Sequence, residues 1–244
     1  VVGIPVALLF VRRPKKGELE AAGIIGGEEA ESNNKVKEQD VWGYSLKELT
    51  KLIPFWLFGI GFVFVGIYVS GMFVQFMNYF KYLNFDAAMI GNIGSIFALA
   101  SIFGNFAGGW LFDKLGVRNS LIFAAVIIIS CGLCLLLTPQ IPALAYLFAI
   151  LLGFAVFAYV VGPSYMTGSL FGNRFYGAIL GVVNIFFAAG YAFGAVIFGV
   201  IVDISGGSYT AAWIAMTAAG GISYVLLLIA ANYFIKNAES KKRE

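Results

Sequence analysis

Long apolar stretches without a charged side chain recur along most of this chain. Six of them reach the roughly 20 residues that an α-helix needs to cross the hydrocarbon core of a bilayer. They are Phe55 to Phe80, Ala87 to Phe112, Asn119 to Thr138, Ala143 to Asn173, Phe175 to Val202 and Ile204 to Ile235. The pattern predicts an all-α, polytopic membrane protein whose six-helix transmembrane bundle occupies residues 54–235.

The breaks between these stretches are short and rich in residues that favour turns. They lie at Lys81 to Asp86, Asp113 to Arg118, Pro139 to Pro142, Phe171 to Arg174 and Asp203 to Tyr209. Short connections join antiparallel neighbours, so we expect the spans to form a compact bundle.

The segments that flank the bundle differ in character. Residues 1–11 have the composition of the end of a preceding transmembrane helix, so we expect further spans before Val1. Residues 12–53 are interpreted as a cytoplasmic linker, because Gly17 to Asp40 has no apolar periodicity. The end of this linker, from Ser45 to Ile53, has capping-box spacing and predicts a short interfacial helix. Residues 236–244 are expected to form a cytoplasmic tail.

The positions of lysine and arginine predict the orientation, because cytoplasmic loops keep positive charge during insertion. Of the 16 basic residues, all but Lys81 precede the first full span or follow the second, fourth or sixth. These positions lie on one side of an alternating bundle, and Lys81 lies on the other. We therefore expect a multi-pass protein of the cell membrane with its N-terminal linker and C-terminus in the cytoplasm.

The composition favours lipid as the surrounding solvent and disfavours enzyme chemistry. Hydrophobic residues make up 60% of the chain and charged residues 12%, where soluble domains average about half and about a quarter. Histidine is absent from the sequence, which removes the commonest general base and all His-containing metal sites. We expect no catalytic residues, no metal site, no cofactor and no nucleic-acid partner. Cys131 and Cys134 form a CxxC in an apolar helix without an electropositive neighbour, and are interpreted as packing residues.

The turn between the second and third spans carries a motif, Gly109-Trp-Leu-Phe-Asp-Lys-Leu-Gly-Val-Arg118. It resembles the loop signature of the major facilitator superfamily, although Asn119 stands where a second basic residue is usual. Glycine would keep this turn tight, and its carboxylate could accept backbone N–H groups at a neighbouring helix end. The resemblance implies a gating role for Gly109, Asp113, Lys114, Gly116 and Arg118.

Three further stretches resemble the oxalate/formate antiporter and monocarboxylate transporter branches of that superfamily. They are Gly162 to Gly177, Asp203 to Tyr209 and Tyr44 to Trp56. The resemblance implies the C-terminal half of a twelve-helix fold, in which two six-helix bundles rock about a site at the bilayer midplane. One bundle cannot enclose that site, so the expected partner is a missing N-terminal six-helix half or a second copy of this chain.

Polar residues that share a helix face are candidates for substrate contact, because amides and phenols are unfavourable against lipid. One such face, in the first span, lies within a sector of about 100°, and another lies in the fifth span. The resemblance adds a tyrosine beside Pro163, since the family's seventh and tenth helices line its cavity. The predicted substrate-binding residues are Tyr68, Gln75, Asn78, Tyr159, Asn184 and Tyr191. The alternative is that these groups only hydrogen-bond between helices.

The function that the resemblance implies is alternating-access transport of a small organic solute, such as a monocarboxylate or a related metabolite. The oxalate/formate branch carries cations in its eighth and eleventh helices, but Asn105 stands near the expected arginine and the fifth span has no lysine. An anionic substrate would therefore lack a positive partner deep in these spans. A transporter-like receptor or sensor that binds a small ligand without net flux is the alternative. A membrane enzyme is the least favoured class, because no nucleophile lies beside a base.

Overall fold

The computed structural model describes residues 42–241, with side chains to residue 237. The expectations for residues 1–11, for the linker up to residue 41 and for the last three residues of the tail lie outside the described residues. Contacts divide the chain into two units, Val1–Trp42 and Gly43–Glu244, and the fold below is that of the second. Its helices are α1 (Leu46–Leu49), α2 (Ile53–Tyr82), α3 (Ala87–Leu137), α4 (Leu144–Val160), α5 (Gly162–Phe171), α6 (Tyr176–Ile204) and α7 (Tyr209–Lys241).

Within residues 42–241, five helices are long and apolar enough to cross a membrane, with α4 and α5 together forming one of them. The longest, α3, has 51 residues, which at about 1.5 Å per residue is more than twice the roughly 30 Å thickness of a bilayer core. Its backbone breaks at Gly116, where φ is 72° and ψ is 171°, so α3 supplies two spanning lengths. The all-α fold of a multi-pass membrane protein is thus confirmed.

Local capping explains where two helices begin. At α1, the backbone N–H of Glu48 donates to Oγ of Ser45 at 3.3 Å, and the N–H of Ser45 donates to Oε2 of Glu48 at 2.9 Å. This reciprocal pair is the capping box that the spacing predicts. At α3, the N–H of Met89 donates to Oδ1 of Asp86 at 2.6 Å, so Asp86 serves as a cap at the start of a span.

One predicted span is interrupted within the bundle. The stretch from Ala143 to Asn173 forms two helical segments, α4 and α5, that meet at Val161. Pro163 stands in the first turn of α5, where its missing N–H leaves no intrahelical hydrogen bond unmade. The two segments still form one apolar length, Leu144–Phe171.

Glycines bring two helix pairs into backbone contact. A Cβ atom on Gly104 of α3 would lie 2.7 Å from the carbonyl oxygen of Phe154 in α4. A Cβ on Gly190 of α6 would overlap the carbonyl oxygen of Val63 in α2. Small residues at these points allow the close approach on which membrane helices depend. Three of these helices, α2, α4 and α6, line a shared cavity.

Candidate functional site

A cavity of about 260 Å³ lies among α2, α4 and α6. It is slightly smaller than the roughly 300 to 1,000 Å³ of sites that hold drug-sized ligands, and therefore suits a small solute. Its lining residues are Val69 and Phe73 from α2, Tyr159 and Val160 from α4, and Phe187 and Tyr191 from α6. The lining side chains are apolar apart from two tyrosines, and no charged side chain takes part.

Two of the predicted substrate residues, Tyr159 and Tyr191, meet in this cavity. The ring of Tyr159 packs edge-on against Phe73 with centroids 6.2 Å apart, and the ring of Tyr191 packs against Phe187 at 5.9 Å. The hydroxyl of Tyr159 is buried and has no hydrogen-bond partner within residues 42–237. Tyr191 is 42% exposed, so its hydroxyl is available to a ligand.

Tyr68, a third predicted residue, lies behind the cavity and does not line it. Its side chain is 1% exposed, and its ring lies close to Gly220 of α7. Its hydroxyl interacts with the thiol of Cys131.

The remaining predicted residues, Gln75, Asn78 and Asn184, do not line the cavity. Nδ2 of Asn78 donates to Oε1 of Gln75 at 3.3 Å, with Gln75 half-buried and Asn78 exposed. Asn184 is exposed on α6. Substrate contact by any of the six residues stays a prediction.

Tyr79, at the end of the polar face of α2 that also carries Gln75 and Asn78, contacts α7 rather than the cavity. Its ring packs edge-on against Trp213 of α7 with ring centroids 5.2 Å apart. Its hydroxyl donates to the carbonyl oxygen of Leu135 in α3 at 3.0 Å. Contacts of this kind between helices account for a polar stripe in a membrane span as well as ligand binding does.

Sequence reasoning missed the apolar part of the cavity wall, which consists of Val69, Phe73, Val160 and Phe187. Apolar side chains cover the lipid-facing side of a span as well as a cavity, so no periodicity distinguishes the two.

The proposed gating turn lies at the break in α3. Gly116 occupies the left-handed region of φ that glycine favours, and Asp113, Lys114 and Arg118 are exposed around it. Gly109 has nothing within 4 Å of the position of a Cβ atom. The turn is thus open to solvent or to another bundle.

Side-chain hydroxyls cap the C-terminal end of the first arm of α3, the part of the helix that precedes Gly116. Oγ of Ser120 donates to the carbonyl oxygen of Leu111 at 3.2 Å, and the hydroxyl of Tyr165 donates to the carbonyl oxygen of Phe112 at 3.2 Å. Carbonyl groups at a helix C-terminus have no intrahelical partner, and these two are satisfied by side chains instead. The Tyr165 hydroxyl also interacts with the carboxylate of Asp113.

Two comparisons with known proteins point to the same family. Residues 56–244 match the Major Facilitator Superfamily model. The chain is similar to monocarboxylate transporter 12 of Rattus norvegicus, with 29% identity over 193 residues, which cover 78% of this chain and 38% of the relative. It is also similar to monocarboxylate transporter 12 of Homo sapiens, with 28% identity over 163 residues, 66% of this chain and 31% of the relative.

The matched relatives extend well beyond the region of similarity. This chain spans between 31% and 38% of the length of the four monocarboxylate transporter 12 proteins that it matches. The family model, in contrast, covers the chain from Trp56 to its last residue. Together with the bundle of apolar helices, this match shows that the chain belongs to the major facilitator superfamily.

Proposed function

We propose that the protein carries a small organic solute across the membrane by alternating access, and that this chain supplies one of the two bundles that enclose the site. The observation that supports this most strongly is the cavity between α2, α4 and α6, to which each helix contributes two residues. When two bundles rock about such a cavity, it becomes accessible from each side of the membrane in turn.

The chemistry of the cavity favours the apolar body of an organic solute. Aromatic and aliphatic side chains form most of the wall, and the exposed Tyr191 offers a hydroxyl for a neutral hydrogen bond. The relatives are named as monocarboxylate transporters, which supports a monocarboxylate or a related metabolite as the solute. Its carboxylate would then find a cation outside this wall, because no charged residue lines it.

A second bundle covers α6 in the working protein. Only 17% of the most apolar window of α6 is buried, against 61% in α2. Asn184 is exposed on the same helix, and an amide that faces lipid is unfavourable. A second six-helix bundle, from the N-terminal part of a longer protein or from another copy of this chain, would shield this amide and close the cavity.

The turn at Gly116 belongs to the gating machinery of this proposal, on the cytoplasmic side of the cell membrane. Lys114 and Arg118 lie at this turn, and the positive charge keeps it in the cytoplasm. Asp113 would change partners between the two states, starting from its present interaction with Tyr165.

Uptake into proteoliposomes by the full-length protein tests the proposal. We expect saturable uptake of a radiolabelled monocarboxylate, such as pyruvate, that a second organic acid inhibits. Empty liposomes and liposomes with heat-inactivated protein are the controls. Saturable binding without uptake would favour a receptor, and indifference to a panel of organic acids, sugars and drugs would contradict the proposed solute class.

A further inference from the structure

Aromatic rings form most of the cavity wall. Four of its six lining residues carry one, namely Phe73, Tyr159, Phe187 and Tyr191. They come from all three helices that line the cavity, α2, α4 and α6. The other two lining residues, Val69 and Val160, are aliphatic. A solute in the cavity therefore has an aromatic side chain beside it on each of the three helices.

The four rings form two pairs. Phe73 and Tyr159 pack edge to face, with centroids 6.2 Å apart and an interplanar angle of 89°. The rings of Phe187 and Tyr191 lie 5.9 Å apart at 35°. Both separations fall within the roughly 4.5 to 7 Å at which aromatic rings attract each other through their quadrupoles. Ring surface stays accessible to a solute, because Phe73 and Phe187 are only half-buried and Tyr191 is exposed.

Neighbouring contacts hold this aromatic wall in place. The ring of Phe73 packs edge-on against Phe97 of α3, with centroids 5.0 Å apart. The backbone of α6 at Phe187 lies against α2, because a Cβ atom on Gly66 would overlap the carbonyl oxygen of Phe187. A wall that is fixed before the solute arrives loses little conformational entropy on binding. Its shape and chemistry can therefore discriminate between solutes.

The volume of the cavity suits a single ring. Benzene fits a protein cavity of about 150 Å³. The cavity here measures about 260 Å³, which leaves room for a short substituent on the ring. No charged side chain lines the wall, so the wall receives the apolar body of the solute and not its carboxylate. An acid as small as pyruvate would fill only part of this volume.

We infer that the solute is a monocarboxylate with an aromatic body, and that its ring lies against Phe73, Phe187 and Tyr191. The inference rests on the proposed function, because it takes this cavity as the solute site. Contacts between aromatic rings are attractive beyond the apolar area that they bury, and a saturated ring lacks the π system that they require. One such ring pair corresponds to roughly two- to twelve-fold in affinity.

The experiment compares two acids on the purified full-length protein. Benzoate and cyclohexanecarboxylate have the same number of carbon atoms and the same charge at neutral pH, but only benzoate is aromatic. Their dissociation constants are measured by equilibrium binding, so the comparison does not depend on flux. We expect benzoate to bind roughly two- to twelve-fold more tightly. Equal affinities, tighter binding of cyclohexanecarboxylate, or no binding of either acid would overturn the inference.

Two variants of α6 test whether the ring lies in this cavity. Phe187→Leu removes an aromatic ring from the wall, and Phe193→Leu removes an exposed ring that does not line it. The dissociation constant of cyclohexanecarboxylate divided by that of benzoate should fall toward one in Phe187→Leu and keep its parent value in Phe193→Leu. Because both constants are measured on the same protein, a smaller folded fraction does not change their ratio. An undiminished ratio in Phe187→Leu would overturn the inference.

Binding and uptake can also give different results. A preference for benzoate that Phe187→Leu abolishes, without uptake of any organic acid, would contradict transport and leave the aromatic site standing. Saturable uptake of pyruvate together with equal affinities for benzoate and cyclohexanecarboxylate would overturn the aromatic site and leave transport standing.

Discussion

The hydroxyl of Tyr165 donates a hydrogen bond to the carbonyl oxygen of Phe112 at 3.2 Å, and the two rings stack with centroids 4.9 Å apart. This contact ties α5 to the end of the first arm of α3. The carboxylate of Asp113 interacts with the same hydroxyl. The turn of the family motif is thus in direct contact with α5, the helix that continues from the cavity wall.

Replacing Asp113 with asparagine should impair transport more than membrane insertion. The side chain is exposed at a turn, so loss of its charge costs little stability, but the charge-assisted contact with Tyr165 is weakened. We expect a several-fold lower uptake rate at an unchanged expression level. Asp203→Asn, at the opposite end of a span, is the matched control and should transport normally. Normal uptake by Asp113→Asn would leave the turn with a topological role only.

Gly190→Ala should destabilise the bundle. The added methyl group would overlap the carbonyl oxygen of Val63 and force α6 away from α2, at a cost of about 1 to 3 kcal/mol. Gly199→Ala is the control on the same helix, because a Cβ there meets nothing within 4 Å. We expect it to leave the melting temperature unchanged or to raise it. Equal melting temperatures for the two variants would contradict the close α2–α6 contact.

Cysteine labelling in intact cells and inverted vesicles should give the orientation. Cysteines in place of Lys15, Lys37, Lys114 and Lys241 are expected to react only from the cytoplasm, and one in place of Lys81 only from outside. The one-sided distribution of positive charge is the reason. Labelling of the Lys81 and Lys114 positions from the same side would refute this topology.

The spans and their turns could be predicted from the sequence because their signals are local. Absence of charge over about 20 residues marks a span, and Gly116 stands where a left-handed φ breaks α3. The cavity wall could be predicted only in part. Tyr159 and Tyr191 carry polar groups that draw attention, whereas Val69 and Phe73 resemble any other residue of an apolar helix. Which face of α2 meets α7 depends on long-range packing, such as that of Tyr79 on Trp213, which no local pattern encodes.

Gln75→Ala and Asn78→Ala test the prediction that the α2 amides contact the solute. Loss of a hydrogen bond to a neutral ligand group would raise the half-saturation constant of uptake by roughly two- to twelve-fold. The two amides are hydrogen-bonded to each other, so either substitution could also change stability. The melting temperature must therefore be measured alongside the half-saturation constant. Unchanged affinity with reduced stability would show that these amides serve the fold and not the site.

The most direct test of the cavity as the transport site is the half-saturation constant for monocarboxylate uptake by Tyr191→Ala. Tyr191 lines the cavity with its side chain 42% exposed. Its replacement by alanine therefore removes from the cavity wall a hydrogen-bonding group and an aromatic surface that a solute could contact. The account predicts a rise of roughly two- to twelve-fold, with Tyr82→Ala, an exposed tyrosine outside the cavity, close to the parent value. A parent-like constant for Tyr191→Ala, measured on protein that is folded and active, would contradict it.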